Sequence, residues 1–302
     1  MRACLRQLDI PRARLRVLWV ALVASTALAN ACSRSDPPGN PANSSAGPAP
    51  VVASDPAAPP ARSPAASPAW AAVPRPPAPD APRPPLDERV RIAKSMMRAE
   101  RFDSAEAALR GALAERKGDG QIAFLLGVAI QKQKRYADAK PYFEEAIAAK
   151  QSFPEVDYVF HFLGWCAYYL GDLALARDAF DEHLRRVPSE ADSVFGLGVV
   201  ALDDDRLDDA EAAFTRAIAM QEKDPKAARE VAKAKARLGD VLVRREKIAD
   251  AERVLREAVT LYPDHYEAWA KLARVLDRLE RPDDAAKARE EEKAAMARVG
   301  RT

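Results

Sequence analysis

One spacing constrains this chain more than any other feature: a small residue returns at intervals near 34 positions, always inside the same apolar frame. The frame occurs as Phe102-Ala105-Leu109-Ala112, Tyr136-Ala139-Phe143-Ala146 and Leu173-Ala176-Phe180-His183, then as Leu207-Ala210-Phe214-Ala217 and Ile248-Ala251-Leu255-Ala258. Counted on to Ala285, the central alanines stand 34, 37, 34, 41 and 34 residues apart. An upstream half repeats in register. Leu126-Gly127, Leu163-Gly164, Leu197-Gly198 and Leu238-Gly239 precede the central alanine by 12 or 13 residues, with Ile92-Ala93 and Leu272-Ala273 as the outer equivalents. Steps of three and four residues put each set on one helical stripe. Small residues let two helices approach closely and bulky ones fill the gaps. A single helix pair cannot cover its own apolar face, so the pairs must stack into a quasi-one-dimensional array.

Segments such as Lys134-Arg135 and Gly171-Asp172 supply turn chemistry between the two helices of a unit. The longer spacings place extra residues near Gln151, Ser152 and Phe153 and across 223–229, where they lengthen a helix or a connection. Pro188 and Pro263 close two of the units. In the last unit, after Pro282, Arg289 and Glu292 stand where apolar residues stood before, as expected of a helix that closes the array against water. The whole pattern resembles the tetratricopeptide repeat, most closely from Phe160-Leu163-Gly164 to Ala176-Phe180-Pro188. That resemblance implies an all-α, right-handed superhelical solenoid of about six helix-turn-helix units over residues 86–300. His183 replaces the usual alanine and is expected to loosen packing there.

Residues 158–172, YVFHFLGWCAYYLGD, hold six aromatics in a chain that is 7% aromatic overall. Phe160, Leu163, Gly164 and Ala167 share a core stripe. Tyr158, His161, Trp165, Tyr168 and Tyr169 fall on another. The resemblance implies that this second stripe lines a concave surface where partner peptides bind, joined by Phe124 from the preceding unit and by Phe195 and Val199 from the next. The competing expectation is that these rings pack on the neighbouring helix or on the lengthened connection at Gln151. The lysine and asparagine set with which some relatives clamp a C-terminal carboxylate is not matched: the corresponding positions hold Val90, Lys94, Leu125, Phe195 and Gly196.

Lysine and arginine total 47 and aspartate and glutamate 45, a net charge of +2, which lacks the one-sided basic excess of a nucleic-acid binder. The cysteines Cys4, Cys32 and Cys166 fit neither a zinc pattern nor a disulfide framework. No phosphate loop, HExxH or CxxC motif occurs, so no catalytic residue, metal or cofactor is expected. Asp203, Asp204, Asp205, Asp208 and Asp209 lack the alternation and glycine turn of a calcium loop. They fit a helix start, where aspartate caps and favours the dipole. Cys166 reads as a small buried residue.

The N-terminal stretch has the three parts of an export signal: Arg2, Arg6, Arg12, Arg14 and Arg16, then an apolar run at residues 17–32, VLWVALVASTALANAC, ending in Ala29-Asn30-Ala31. The run is short and interrupted for a spanning helix. Leu28 to Cys32 resembles a bacterial lipobox, which implies removal of residues 1–31 and lipidation of Cys32. Ser33 after it resembles the outer-membrane sorting default. Ordinary cleavage to a soluble periplasmic protein and an uncleaved anchor are the alternatives. Residues 33–85 carry 17 of the 24 prolines, too little apolar surface to fold and a strong polyproline bias. Residues 32–85 are therefore expected to be a disordered tether; Trp70 within it has no evident role. The combined expectation is a membrane-tethered scaffold that binds protein partners in the envelope, not an enzyme.

Overall fold

The computed structural model describes Val73, Arg75 and residues 88–300. The expected signal (1–31), Cys32, Trp70 and the rest of the expected tether (32–85) lie outside the described residues. Those described form twelve α-helices and no strand. In chain order these are α1 (Glu88–Arg98), α2 (Phe102–Glu115), α3 (Gly120–Lys132), α4 (Tyr136–Ala148), α5 (Tyr158–Tyr169) and α6 (Leu173–Arg186). There follow α7 (Ala191–Asp203), α8 (Leu207–Gln221), α9 (Ala228–Arg244), α10 (Ile248–Leu261), α11 (Tyr266–Arg278) and α12 (Pro282–Arg298). They pair into six units, with odd-numbered helices first (A) and even-numbered second (B).

The repeated residues are the core of this stack. All six central alanines, Ala105, Ala139, Ala176, Ala210, Ala251 and Ala285, are 0% exposed. Leu109, Phe143, Phe180, Phe214 and Leu255, four residues on, are equally buried. Each glycine of the upstream half makes room for one of them. A Cβ at Gly127 would stand 2.7 Å from Phe143, and one at Gly164 or Gly198 would stand 2.7 Å from Phe180 or Phe214. Real Cβ atoms do not approach so closely, so Phe in the B helix requires Gly in the A helix. In the last unit Arg289 pairs with Asp277 at the surface instead of entering the core, and α12 closes the array with a polar face.

The six A-to-B turns are built alike. The amide of Arg101 donates to Met96 O, Arg135 to Ile130 O, Asp172 to Ala167 O, Arg206 to Ala201 O, Lys247 to Leu242 O and Arg281 to Leu276 O. The preceding residue has positive φ each time: Glu100, Lys134, Gly171, Asp205, Glu246 and Glu280. This is the Schellman helix stop, in which one left-handed residue turns two amides back onto orphan carbonyls. Only one of the six is glycine.

Each helix packs on its chain neighbours, and successive A helices also touch: α1 on α3, α3 on α5, α5 on α7, α7 on α9 and α9 on α11. Successive B helices make no comparable contact. The A layer is therefore the inner, concave side. A middle A helix meets neighbours on three sides, which is why Val159 to Ala167 of α5 are buried all round.

The two long spacings resolve differently. After α4, Phe153 and Val156 turn inward and are buried. Phe153 lies against Gly120 and Phe124, the two rings 6.2 Å apart. Glu155 accepts from Lys94 Nζ of α1 (3.1 Å) and Gln121 Nε2 of α3 (2.8 Å). This connection thus lies across the inner face of units 1 and 2. After α8, by contrast, a short 3-10 turn at Pro225–Ala227 leads into α9, whose 17 residues exceed the 11 to 13 of the other A helices. On the array's flank, Val73 O accepts from Arg186 Nη2 (3.1 Å) and the Arg75 carbonyl accepts from the Ser152 hydroxyl.

Candidate functional site

A cavity of about 270 Å³ opens on the inner face. Four A helices and the α10–α11 connection line it. Trp165, Tyr168 and Tyr169 come from α5, and Phe195 and Val199 from α7. Arg229, Lys233 and Arg237 come from α9, Lys271 from α11, and Tyr262 to Glu267 from the connection and the start of α11. One wall is therefore aromatic and apolar, the other cationic.

The rings on the first wall support each other. Trp165 meets Phe180 edge-on at 5.3 Å and Tyr168 at 5.7 Å, and lies 6.4 Å from Phe195. Tyr169 stacks on Tyr136 at 4.2 Å. The Tyr168 hydroxyl donates to Asp203 at 2.7 Å, linking α5 to α7. Trp165 is 5% exposed and its indole N–H has no acceptor in the protein, so the ring is both core and cavity floor.

Of the eight groove residues expected from sequence, five (Trp165, Tyr168, Tyr169, Phe195 and Val199) are brought together here. Three are elsewhere. Phe124 packs among Phe143, Phe153 and Phe162 beneath the inserted connection. Tyr158 lies against the His183 ring at 5.2 Å. His161 is buried, with its Nδ1 2.8 Å from Ser193 Oγ. His183 reaches the same oxygen through Nδ1 at 2.7 Å. A hydroxyl can donate to one imidazole and accept from the other, so Ser193 of α7 latches α5 and α6 across the unit 3–4 junction. Burial first, then the nearby His183 and Lys132 charges, hold His161 well below its ordinary pKa. Burial and then Arg186 push His183 down to about 4. His183 thus fits tightly where looser packing was expected: it is 0% exposed and hydrogen-bonded.

The aspartates expected to cap a helix start make no side-chain cap, and four of them pair with arginines instead. Arg206 occupies the N-cap of α8, with no side-chain cap bond. Arg206 pairs with Asp204 (2.8 Å) and Asp209 (2.5 Å), Arg244 with Asp205 (3.5 Å), and Arg245 with Asp208. Asp208 and Asp209 still lie in the first turn, where the dipole favours them. No group of three or more candidate ligands among the described residues could hold a metal. Cys166 is fully buried, and that burial pushes its thiol up to about 12, so it stays protonated and unreactive.

The cationic wall was missed by sequence reasoning focused on rings. A signal existed: Arg229, Lys233 and Arg237 recur every fourth residue, one stripe of a single helix.

An inner-face groove on stacked helix pairs defines a repeat scaffold. The chain belongs to the tetratricopeptide repeat family: the family profile matches residues 90–154, 163–228 and 236–296, more than half of its length. Members of this family are generally non-enzymatic scaffolds that bind peptide or protein partners in a groove, and no catalytic family is indicated. Among solved structures, it is similar to the APC/C hetero-tetramer Cut9–Hcn1 (TM-score 0.59, 16% identity, 68% of this chain and 39% of that one). It is also similar to pilF of Pseudomonas aeruginosa (0.55, 15%, 70% and 90%) and to PilW, a widely conserved type IV pilus biogenesis factor (0.55, 20%, 69% and 90%). At these identities the likeness is one of fold. No curated protein sequence matches the chain.

Proposed function

We propose that this chain is a membrane-tethered adaptor of the bacterial cell envelope that holds a protein partner in the groove of α5, α7, α9 and α11. The observation that carries the reading is the open inner-face cavity, with aromatic side chains on one wall and cations on the other. Tyrosine and tryptophan give large contact area at low entropy cost, as interface anchors do. Tyr168, Tyr169, Phe195 and Val199 are the contact residues, with Trp165 as the floor beneath them.

The envelope part rests on separate support. The basic start, apolar middle and Ala-Asn-Ala-Cys end favour removal of residues 1–31 and a lipid on Cys32, with Ser33 directing the protein to the outer membrane, facing the periplasm. Residues 33–85 would then be the tether. The fold likeness to pilF and PilW supports an assembly role, in a pilus, secretin, outer-membrane or cell-wall complex.

Two measurements test the two parts. Intact mass of the mature protein reads a diacylglycerol addition on Cys32; a mass ending at ordinary cleavage leaves a soluble periplasmic adaptor instead. Crosslinking in the native envelope from a photoreactive residue at Tyr168 or Tyr169 captures the partner. Equal capture from a residue on α12 would sink the groove reading.

A further inference from the structure

Across the cavity from Trp165 and Tyr169 the wall is cationic. Arg229, Lys233 and Arg237 lie at four-residue spacing along α9, and all three face the cavity. Like charges at this spacing destabilise a helix, so the stripe is a local conflict that the fold itself does not need. Arg229 stands on the extra first turn of α9, the product of the longest repeat spacing. Asp240 holds Lys271 at 2.5 Å and approaches Arg237 at 3.6 Å. The cavity lining itself offers two carboxylates, Asp264 and Glu267, and Arg298 engages Asp264 at 2.5 Å. In the lining itself the four cations Arg229, Lys233, Arg237 and Lys271 outnumber the two acids, while Asp240, Glu230 and Asp192 act on them from outside it. Two pKa shifts have the same cause. Burial pushes His265 down to about 3, with Lys233, Lys271, Arg237 and Arg229 adding to the shift. Burial, then Arg229, pushes the Lys233 ammonium down against the pull of Glu230, Asp192 and Glu267.

Size narrows the occupant further. Small-molecule and cofactor sites hold roughly 300–1,000 Å³; this cavity, at about 270 Å³, is smaller and open along the groove. It suits one large side chain presented by an extended segment.

We infer that the groove's occupant is an acidic protein segment carrying one large apolar or aromatic residue. That residue enters beside Trp165, Tyr169, Phe195 and Val199, and its flanking carboxylates meet Arg229, Lys233 and Arg237. Guanidinium groups take carboxylates through two parallel hydrogen bonds, and the anion relieves the repulsion along α9. The inference rests on the groove reading above and adds the partner's chemistry to it.

The test pans a random dodecapeptide display library against the full chain, then against the chain carrying Arg229→Glu and Lys233→Glu. The expected winners carry aspartate or glutamate on both sides of an aromatic or large aliphatic residue. A synthetic winner should bind roughly ten-fold more weakly to the double variant, and also more weakly as salt rises from about 50 to 500 mM. The milder Arg229→Gln, with an unchanged melting temperature, should show a smaller loss in the same direction and so separates charge from folding. Winners without an acidic excess, or tighter binding of dodecathymidylate than of any peptide, overturn the occupant's chemistry and leave the groove standing. Winners whose binding ignores Tyr168→Ala, Tyr169→Ala and both charge variants overturn the groove itself. An absence of winners overturns both.

Discussion

In units 1 and 2 the inner face is filled from within; in units 3 to 6 it stands open. The helix pairs are the same in both halves, and so are the buried alanines and the left-handed turns. The difference lies in two insertions. The 37-residue spacing, three longer than its 34-residue neighbours, sends Phe153, Glu155 and Val156 across α1 and α3. The 41-residue spacing instead lengthens α9 and raises a wall that carries Arg229. A repeat array thus acquires a site by small departures between units, because the stack tolerates extra residues only where they leave the A–A and A–B contacts intact.

The largest expected effect lies at the boundary of the two halves. Trp165→Ala removes a ring packed on Phe180, Tyr168 and Phe195 and should cost about 3–5 kcal/mol in urea unfolding. Trp165→Phe keeps most of that packing and removes a buried donor without an acceptor, so its cost should stay within about 1.5 kcal/mol. An unchanged unfolding midpoint for the alanine variant would mean that Trp165 belongs to the open surface alone.

The histidine latch ties units 3 and 4 of the open half together and titrates. His183 has a folded pKa of about 4, below its ordinary 6.5. Above pH 6.5 both folded and unfolded states hold it neutral, and stability is at its full value. As pH falls from 6.5 to about 4 the unfolded state takes up a proton that the folded state refuses, so stability drops by about 3 kcal/mol. Glu190, pushed up to about 7 by burial and Asp192, works in the opposite direction, its contribution growing as pH falls from 7 to about 4.5. The clean measurement is therefore the difference between parent and His183→Ala. The variant should lose about 3 kcal/mol less between pH 7 and 4, the shares of His161 and His265, held low in the same way, remaining. Parallel curves would remove His183 as the titrating element.

The closed half can be opened. Glu155 and Lys94 have side chains only 13% and 15% exposed. Glu155→Ala leaves the Lys94 ammonium and the Gln121 amide without their shared acceptor, at about 1–3 kcal/mol. The connection should then lift from Phe124, and binding of a hydrophobic dye should rise. Thermal melting and dye fluorescence check this together; a stable variant with no added dye binding would show that Phe153 and Val156 hold the plug without the ion pair.

The stack itself was legible because its signal repeats: six alanines in one frame, five of them with a bulky apolar residue four positions on, can only be explained by helix pairs in register. Features that occur once were harder to read. The aromatic stretch of α5 falls into two stripes, yet a middle A helix is covered on three sides, so His161 joins the interior with Trp165 and Tyr158 lies half-buried against His183. Phe124 was assigned to the groove because its helical position is a groove position; the connection that covers it comes from another part of the chain. The apolar pair Phe153 and Val156, inside an insertion, was the available sign that it would fold inward. The cationic stripe on α9 was visible as a four-residue spacing but falls in a stretch of mixed charge, where only the structure separates the faces.

The smallest effect tests what the two halves share. Six Schellman turns need φ > 0, and five use residues with a Cβ. Lys134 (φ 63°) in the closed half and Glu280 (φ 58°) in the open half are both exposed, while Gly171 (φ 82°) marks the boundary. The left-handed conformation costs an L-residue about 1–2 kcal/mol, and glycine gives back roughly 0.5–1 kcal/mol of that as lost chain entropy. Lys134→Gly and Glu280→Gly should each stabilise by about 0.5–1 kcal/mol. Gly171→Ala should destabilise by a similar amount, since a Cβ there meets nothing within 4 Å and only the backbone is strained. Chemical denaturation of the three variants reads this directly. Equal gains at Lys134 and Glu280 mean that the turns are one device repeated along the array, and that the halves differ only in what lies on them. A gain confined to one of the two would locate a difference in the stack itself, beneath the groove.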